Sequence, residues 1–159
     1  MIIVKEKDPR FVISPEETLF RVIDYPSGVD AKDKERVDAR AFRLFRRDEY
    51  YISLTRERYA SEKAVIEAGA NIKKHQMAED KFYGYVTLPA EIFYSLRDRY
   101  RLTLDSYYEP GHEGHAGFTY WIDGSTMLKT LPEGESAPEE YVTICMILCD
   151  VASKIVKCE

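Results

Sequence analysis

Apolar residues recur along this chain with two different periods, and each period predicts its own elements. In the last part of the chain the period is helical. Tyr141, Ile144, Cys145, Leu148, Ala152, Ile155 and Val156 return on one side, and Val142, Ile147 and Val151 widen the stripe. Only a narrow polar strip of Thr143, Asp150, Lys154 and Lys157 is left. Ser136-Ala137-Pro138-Glu139 has the spacing of a capping box. The pattern predicts a core helix over 136–157, covered on most sides by the sheet, by an N-terminal arm (1–16) or by a second subunit. Leu148 is expected in the core.

Earlier in the chain the period is two. Leu19–Ile23 reads as a strand closed by the turn cluster Asp24-Tyr25-Pro26-Ser27-Gly28. The stretches 41–45 and 50–55 read as strands joined by a polar connection. Phe82, Gly84, Val86 and Leu88 alternate with Tyr83, Tyr85 and Thr87. Leu102 and Leu104 mark a further strand and Phe118–Ile122 another, followed by a turn at Asp123-Gly124. Two more helices are expected: one opening at Ser61, and a short one from Pro89 through Leu96. Residues 29–40 read as a loop or a short exposed helix. With no repeat or linker, 1–159 is expected to be a single α+β domain, a mostly antiparallel twisted sheet packed against a long C-terminal helix.

Composition narrows the class. Hydrophobic residues make up 45% and charged residues 32%, values of a globular chain long enough to bury a core. No apolar run approaches the roughly 18 residues of a membrane span, and the charged N-terminus does not read as a secretory signal. A cytoplasmic protein, without membrane association, is the expectation. The net charge of −5 is unevenly spread: residues 1–104 carry +2 and residues 105–159 carry −7. That acidic last third argues against nucleic acid wrapping the whole body. The tyrosines at 50–51, 83, 85, 107–108 and 120 could stack bases, but without a dominating basic surface nucleic acid is not expected, and a protein partner or a homodimer is the expected association. Cys145, Cys149 and Cys158 make no disulfide framework; two thiols without a second pair do not close a zinc site, so core thiols are expected.

Candidate chemistry centres on Gly111-His112-Glu113-Gly114-His115-Ala116-Gly117. His112 and His115, with Glu109 or Glu113 as a third ligand, suit an open metal site only if the loop curls back. The metalloprotease motif instead spaces its histidines i, i+4 on a helix, so no metal is assigned. The same imidazoles could act as acid or base, with Glu113 polarising His115. Against this stands a buried His115 that opens the next strand and locks the loop by hydrogen bonding. Arg21 sits inside an apolar strand on the side of Leu19 and Ile23, so it needs an acid, a ligand or a sheet edge. Ser53 is a small polar group between Ile52 and Leu54. No glycine elbow for a nucleophilic serine and no phosphate-binding loop occur.

Leu-Phe-Arg at 19–21, Ala-Arg-Ala-Phe at 39–42, Tyr-Ile-Ser-Leu-Thr-Arg at 51–56 and Gly-His-Ala-Gly-Phe at 114–118 resemble, in their order, a pattern in small uncharacterised prokaryotic proteins. That resemblance implies no activity. Arg21 on an early strand, Ser53 on a serine strand and Glu109 or Glu113 as a later acid also resemble ADP-ribosyltransferase-like folds, although no Glu-x-Glu or Gln-x-Glu precedes a strand. This second resemblance implies a nucleotide-like substrate. Two classes of function follow. The favoured one is a small accessory or binding module with a polar pocket of Arg21, Ser53, His112 and His115. The alternative is a small transferase or hydrolase, in which Arg21 holds an anion and His115 serves as acid or base. No cofactor is specified by either.

Overall fold

The computed structural model describes residues 12–43, 51–59, 64, 81–107, 114–123, 127–128 and 138–158. Its strands are β1 (Thr18–Tyr25), β2 (Ile52–Arg56), β3 (Lys81–Pro89), β4 (Leu102–Ser106), β5 (His115–Tyr120) and β6 (Val156–Lys157), and its helices are α1 (Ala90–Arg99) and α2 (Glu139–Val151). The strands form one six-stranded sheet in the order β4-β5-β2-β1-β3-β6, and every pairing is antiparallel. The chain is therefore α+β, as the two periods predict. The expected helix opening at Ser61 and the connection across 44–50 fall outside the described residues, apart from Ala64.

Alternation decides which side of each strand meets the core. Leu19 and Ile23 of β1, Ile52 and Leu54 of β2, Val86 and Leu88 of β3, and Ala116 and Phe118 of β5 are all buried in one cluster. Ala90, Phe93 and Leu96 of α1 and Tyr141, Ile144, Cys145 and Leu148 of α2 join it. Both helices thus cover one side of the sheet, with Phe93 packed on Phe118 at 5.3 Å between ring centroids. The other side of β1 and β3 carries a smaller cluster of Phe20 and Tyr85 with Val22 and Cys158.

Three expectations change. Ala41 and Phe42, expected to open a strand, instead close a short 3₁₀ helix, Ala39–Phe42. Asp38 causes this locally, because its carboxylate accepts the Arg40 amide and caps the turn. The C-terminal helix is shorter than 136–157: it begins after Pro138, which offers no side-chain cap, and ends at Val151. Ser136 lies outside the described residues. Beyond Val151 the chain runs extended along the sheet edge, where the Ser153 amide bonds to Thr87 and Val156–Lys157 pair with Gly84 and Tyr85. Finally, β5 runs His115–Tyr120 rather than 118–122: His115 is buried and opens the strand, as one of the two readings of it expects, and Ala116 and Gly117 belong to the sheet rather than to a glycine loop.

The helix α2 is fixed by more than apolar contact. Tyr141 Oη donates to the Phe42 carbonyl at 2.5 Å, Cys145 Sγ to the same carbonyl at 3.5 Å, and Cys149 Sγ to the Val37 carbonyl at 2.8 Å. Spaced i, i+4 and i+8, these three side chains meet the carbonyls at the end of the 3₁₀ turn and before it, which need partners once buried. The thiols are structural: burial pushes the Cys145 thiol up to about 12, so it stays protonated. On the outer side, Met146 is 58% exposed.

Candidate functional site

Strand β2 carries the polar residues that matter, and its alternation separates them. Ile52, Leu54 and Arg56 face the helices, while Ser53 and Thr55 face the opposite side. Opposite Ser53 in β5 is Gly117, and opposite Gly117 in β4 is Asp105. His115 lies opposite Thr55, and the Tyr107 amide donates to its carbonyl at 3.0 Å. Together these place Ser53, Gly117, Asp105, His115 and Tyr107 on one patch of the sheet, away from the helices.

Ser53 Oγ and His115 Nε2 share a hydrogen bond of 3.0 Å. The imidazole is only 2% exposed, and it packs against a pair of touching tyrosine rings: Tyr51 at 5.7 Å and Tyr107 at 5.6 Å, themselves 4.8 Å apart. Gly117 makes room for those rings. A Cβ there would stand 2.5 Å from Tyr51 Cδ2 and 3.0 Å from Tyr107 Cε2. The missing side chain leaves a dent in the sheet, and the tyrosines fill it.

Arg21 does not join this group. It lies on the helix side of β1, where its Nε donates to the Ala41 carbonyl and its Nη1 to the Ser53 carbonyl, each at 3.0 Å. It touches the backbone of Ser53 while the Ser53 hydroxyl points to the other side. Of the four residues expected to share a pocket, Ser53 and His115 meet and Arg21 is on the far side of the sheet. His112 lies outside the described residues, as do Glu109 and Glu113. Among the described residues no group of His, Cys, Asp and Glu is arranged to hold a metal ion. No helix among them is long and apolar enough to cross a membrane.

Sequence reasoning missed a second polar centre on the same strand. Arg56 is fully buried, and its Nε and Nη2 donate to the two carboxylate oxygens of Glu17, each at 2.8 Å. Nη2 also reaches the Val12 carbonyl at 3.3 Å, and the guanidinium lies 4.6 Å from the centre of the Tyr59 ring. Burial alone would raise the Glu17 carboxyl. The hydrogen bonds from Arg56, the Ser14 amide at 2.6 Å, and the charges of Arg56 and Arg58 outweigh it, so its pKa lies below the ordinary glutamate value. Two signals were present in the sequence: Glu17 immediately precedes β1, and Arg56 ends an apolar strand. The pairing of Leu19 with Arg56 brings them together.

No family model, no curated protein and no solved structure matches the chain. The two resemblances therefore rest on the quoted residues alone. For the ADP-ribosyltransferase-like one, the side chains of Arg21 and Ser53 point to opposite sides of the sheet.

Proposed function

We propose that the chain is a small non-catalytic binding or accessory module, in which the Ser53–His115 pair is part of the framework. The observation that carries this reading is the burial of His115. An acid or base must reach a substrate proton directly or through one water, and this imidazole is buried, packed against two tyrosines and bonded to a serine. Arg21, the residue that would hold an anion, is engaged with two backbone carbonyls on the other side of the sheet.

The alternative, a transferase or hydrolase acting on a nucleotide-like substrate, has the Ser53–His115 hydrogen bond in its favour. A thermal-shift screen against nucleotides, dinucleotides and divalent metals separates the two, because a specific ligand raises the melting temperature by mass action. The module reading expects Ser53→Ala and His115→Asn to lower the melting temperature of the free protein and to leave any ligand response intact. A nucleotide response present in the wild type and abolished by either substitution, with the fold retained, would replace the module reading with the enzymatic one.

A further inference from the structure

The far end of the sheet carries an aromatic and basic surface assembled from four separate segments. Between the pairs Ile23–Gly84 and Asp24–Phe82 the register of β1 and β3 shifts, leaving Tyr83 as an extra residue. A bulge of this kind re-aims a side chain, and Tyr83 stacks on Tyr25 with ring centroids 5.5 Å apart and planes 29° from parallel. Tyr25 is 39% exposed. The Lys34 ammonium lies 5.9 Å from the Tyr25 ring centre, and the Lys157 ammonium 5.4 Å from that of Tyr83. Lys81, also exposed, is paired with Tyr25 across the strands.

Lys157 reaches this place because β6 lies against Gly84, where a Cβ would stand 2.2 Å from the Val156 carbonyl oxygen. The segment-by-segment charge count hides the result, since a lysine from the acidic last third joins lysines from residues 34 and 81. The neighbouring acids are partly committed to other contacts. Asp30 accepts the amides of Lys32 and Asp33, Asp33 accepts the amide of Glu35, and the Glu35 carboxylate lies 3.6 Å from Lys154.

We propose that the Tyr25–Tyr83 stack and its lysines bind single-stranded nucleic acid, with bases on the exposed tyrosine surface and phosphates on Lys34, Lys81 and Lys157. Stacked aromatic rings flanked by cations are the common means of holding single strands without reading sequence. A cation over an exposed ring is weakly held, so an incoming base can displace the ammonium and the freed ammonium can take the adjacent phosphate. The proposal rests on the binding-module reading and names its partner.

Fluorescence anisotropy with a labelled oligonucleotide of about 12 nucleotides tests it. The wild type is expected to bind with a dissociation constant of about 1–100 µM at about 50 mM salt. The double variant Lys34→Glu, Lys157→Glu should weaken binding at least about ten-fold and reduce the magnitude of the log–log salt slope by about 1.4, the share of two single-strand phosphates. Tyr25→Ala should weaken it with the slope unchanged. Arg97→Glu, Arg99→Glu on exposed positions of α1 makes the same change in net charge and should leave binding as it is. Amide resonances of the wild type give a readout that needs no variant: those of Lys34, Gly84 and Lys157 should shift on titration while that of His115 stays fixed. No binding, equal weakening by the α1 variant, or shifts centred elsewhere would each overturn the proposal. Loss of oligonucleotide binding with the Ser53 and His115 results unchanged would remove the partner and leave the module reading standing.

Discussion

Arg56 and Ser53 are three residues apart on one strand, yet the polar centres they build obey different economies. Arg56 brings a full charge into the interior, and its surroundings answer with a bidentate carboxylate, a carbonyl and an aromatic ring. Ser53 brings only a hydroxyl, and one hydrogen bond to a histidine packed against two rings accompanies it. A buried charge tolerates no missing partner, whereas a neutral pair is held as much by packing as by polarity. Removing one partner should therefore cost far more at the first centre than at the second.

The largest effect is expected from Glu17→Ala. It strands the Arg56 guanidinium in the core, and breaking a buried pair from one side costs about 3–5 kcal/mol. Urea unfolding at neutral pH measures it, and a loss similar to that of Ser53→Ala would erase the contrast between the centres. Acid provides the same test without a mutation. Because the folded-state pKa of Glu17 is lowered, its stabilisation is fully present above the ordinary carboxyl value of about 4.3. It is lost as the pH falls through that value and on through the lower folded-state one. Glu17→Gln should flatten this part of the stability profile and leave the region above pH ~5 parallel to the wild type.

These two centres also mark how far the chain could be read without coordinates. Period-two alternation locates β1, β2, β3 and β4, and the helical period locates the core side of α2, because one-sided burial imposes each pattern directly. Alternation fails at Ala41 and Phe42, which close a four-residue turn too short to be told from a strand, and there the capping Asp38 decides. The helical period fails after Val151, since Ile155 and Val156 continue its spacing while the chain turns to follow β3. No glycine stands in 141–157 to mark that stop. At the candidate site the Ser53–His115 meeting was legible only as two interesting residues. Their contact depends on the β2–β5 register, which no local signal states. The Glu17–Arg56 pair depends in the same way on the β1–β2 register.

An intermediate effect is expected where packing rather than hydrogen bonding holds the neutral centre. Gly117→Ala places a methyl group 2.5 Å from a Tyr51 ring carbon. Both rings must shift, and overpacking of this kind costs about 1–3 kcal/mol. Near-ultraviolet circular dichroism should change with the denaturation midpoint, because the tyrosine pair itself is displaced. An unaltered midpoint would mean that the rings do not fill the dent left by Gly117.

The smallest effect is expected from Ser53→Ala, at about 1 kcal/mol, the low end of the cost of taking the partner from a buried neutral group. The hydroxyl leaves little volume behind, and the His115 ring remains held by Tyr51 and Tyr107. Replacing both partners, as in Ser53→Ala with His115→Phe, should recover part of the loss, because two matched apolar groups leave no polar atom unsatisfied. The corresponding treatment of the charged centre, Glu17→Ala with Arg56→Ala, should also recover stability relative to Glu17→Ala alone, and by more. A double-mutant cycle at each centre gives the two coupling energies directly. If the neutral pair proves the more strongly coupled, its hydrogen bond carries a function that packing does not explain, and the enzymatic alternative regains its footing.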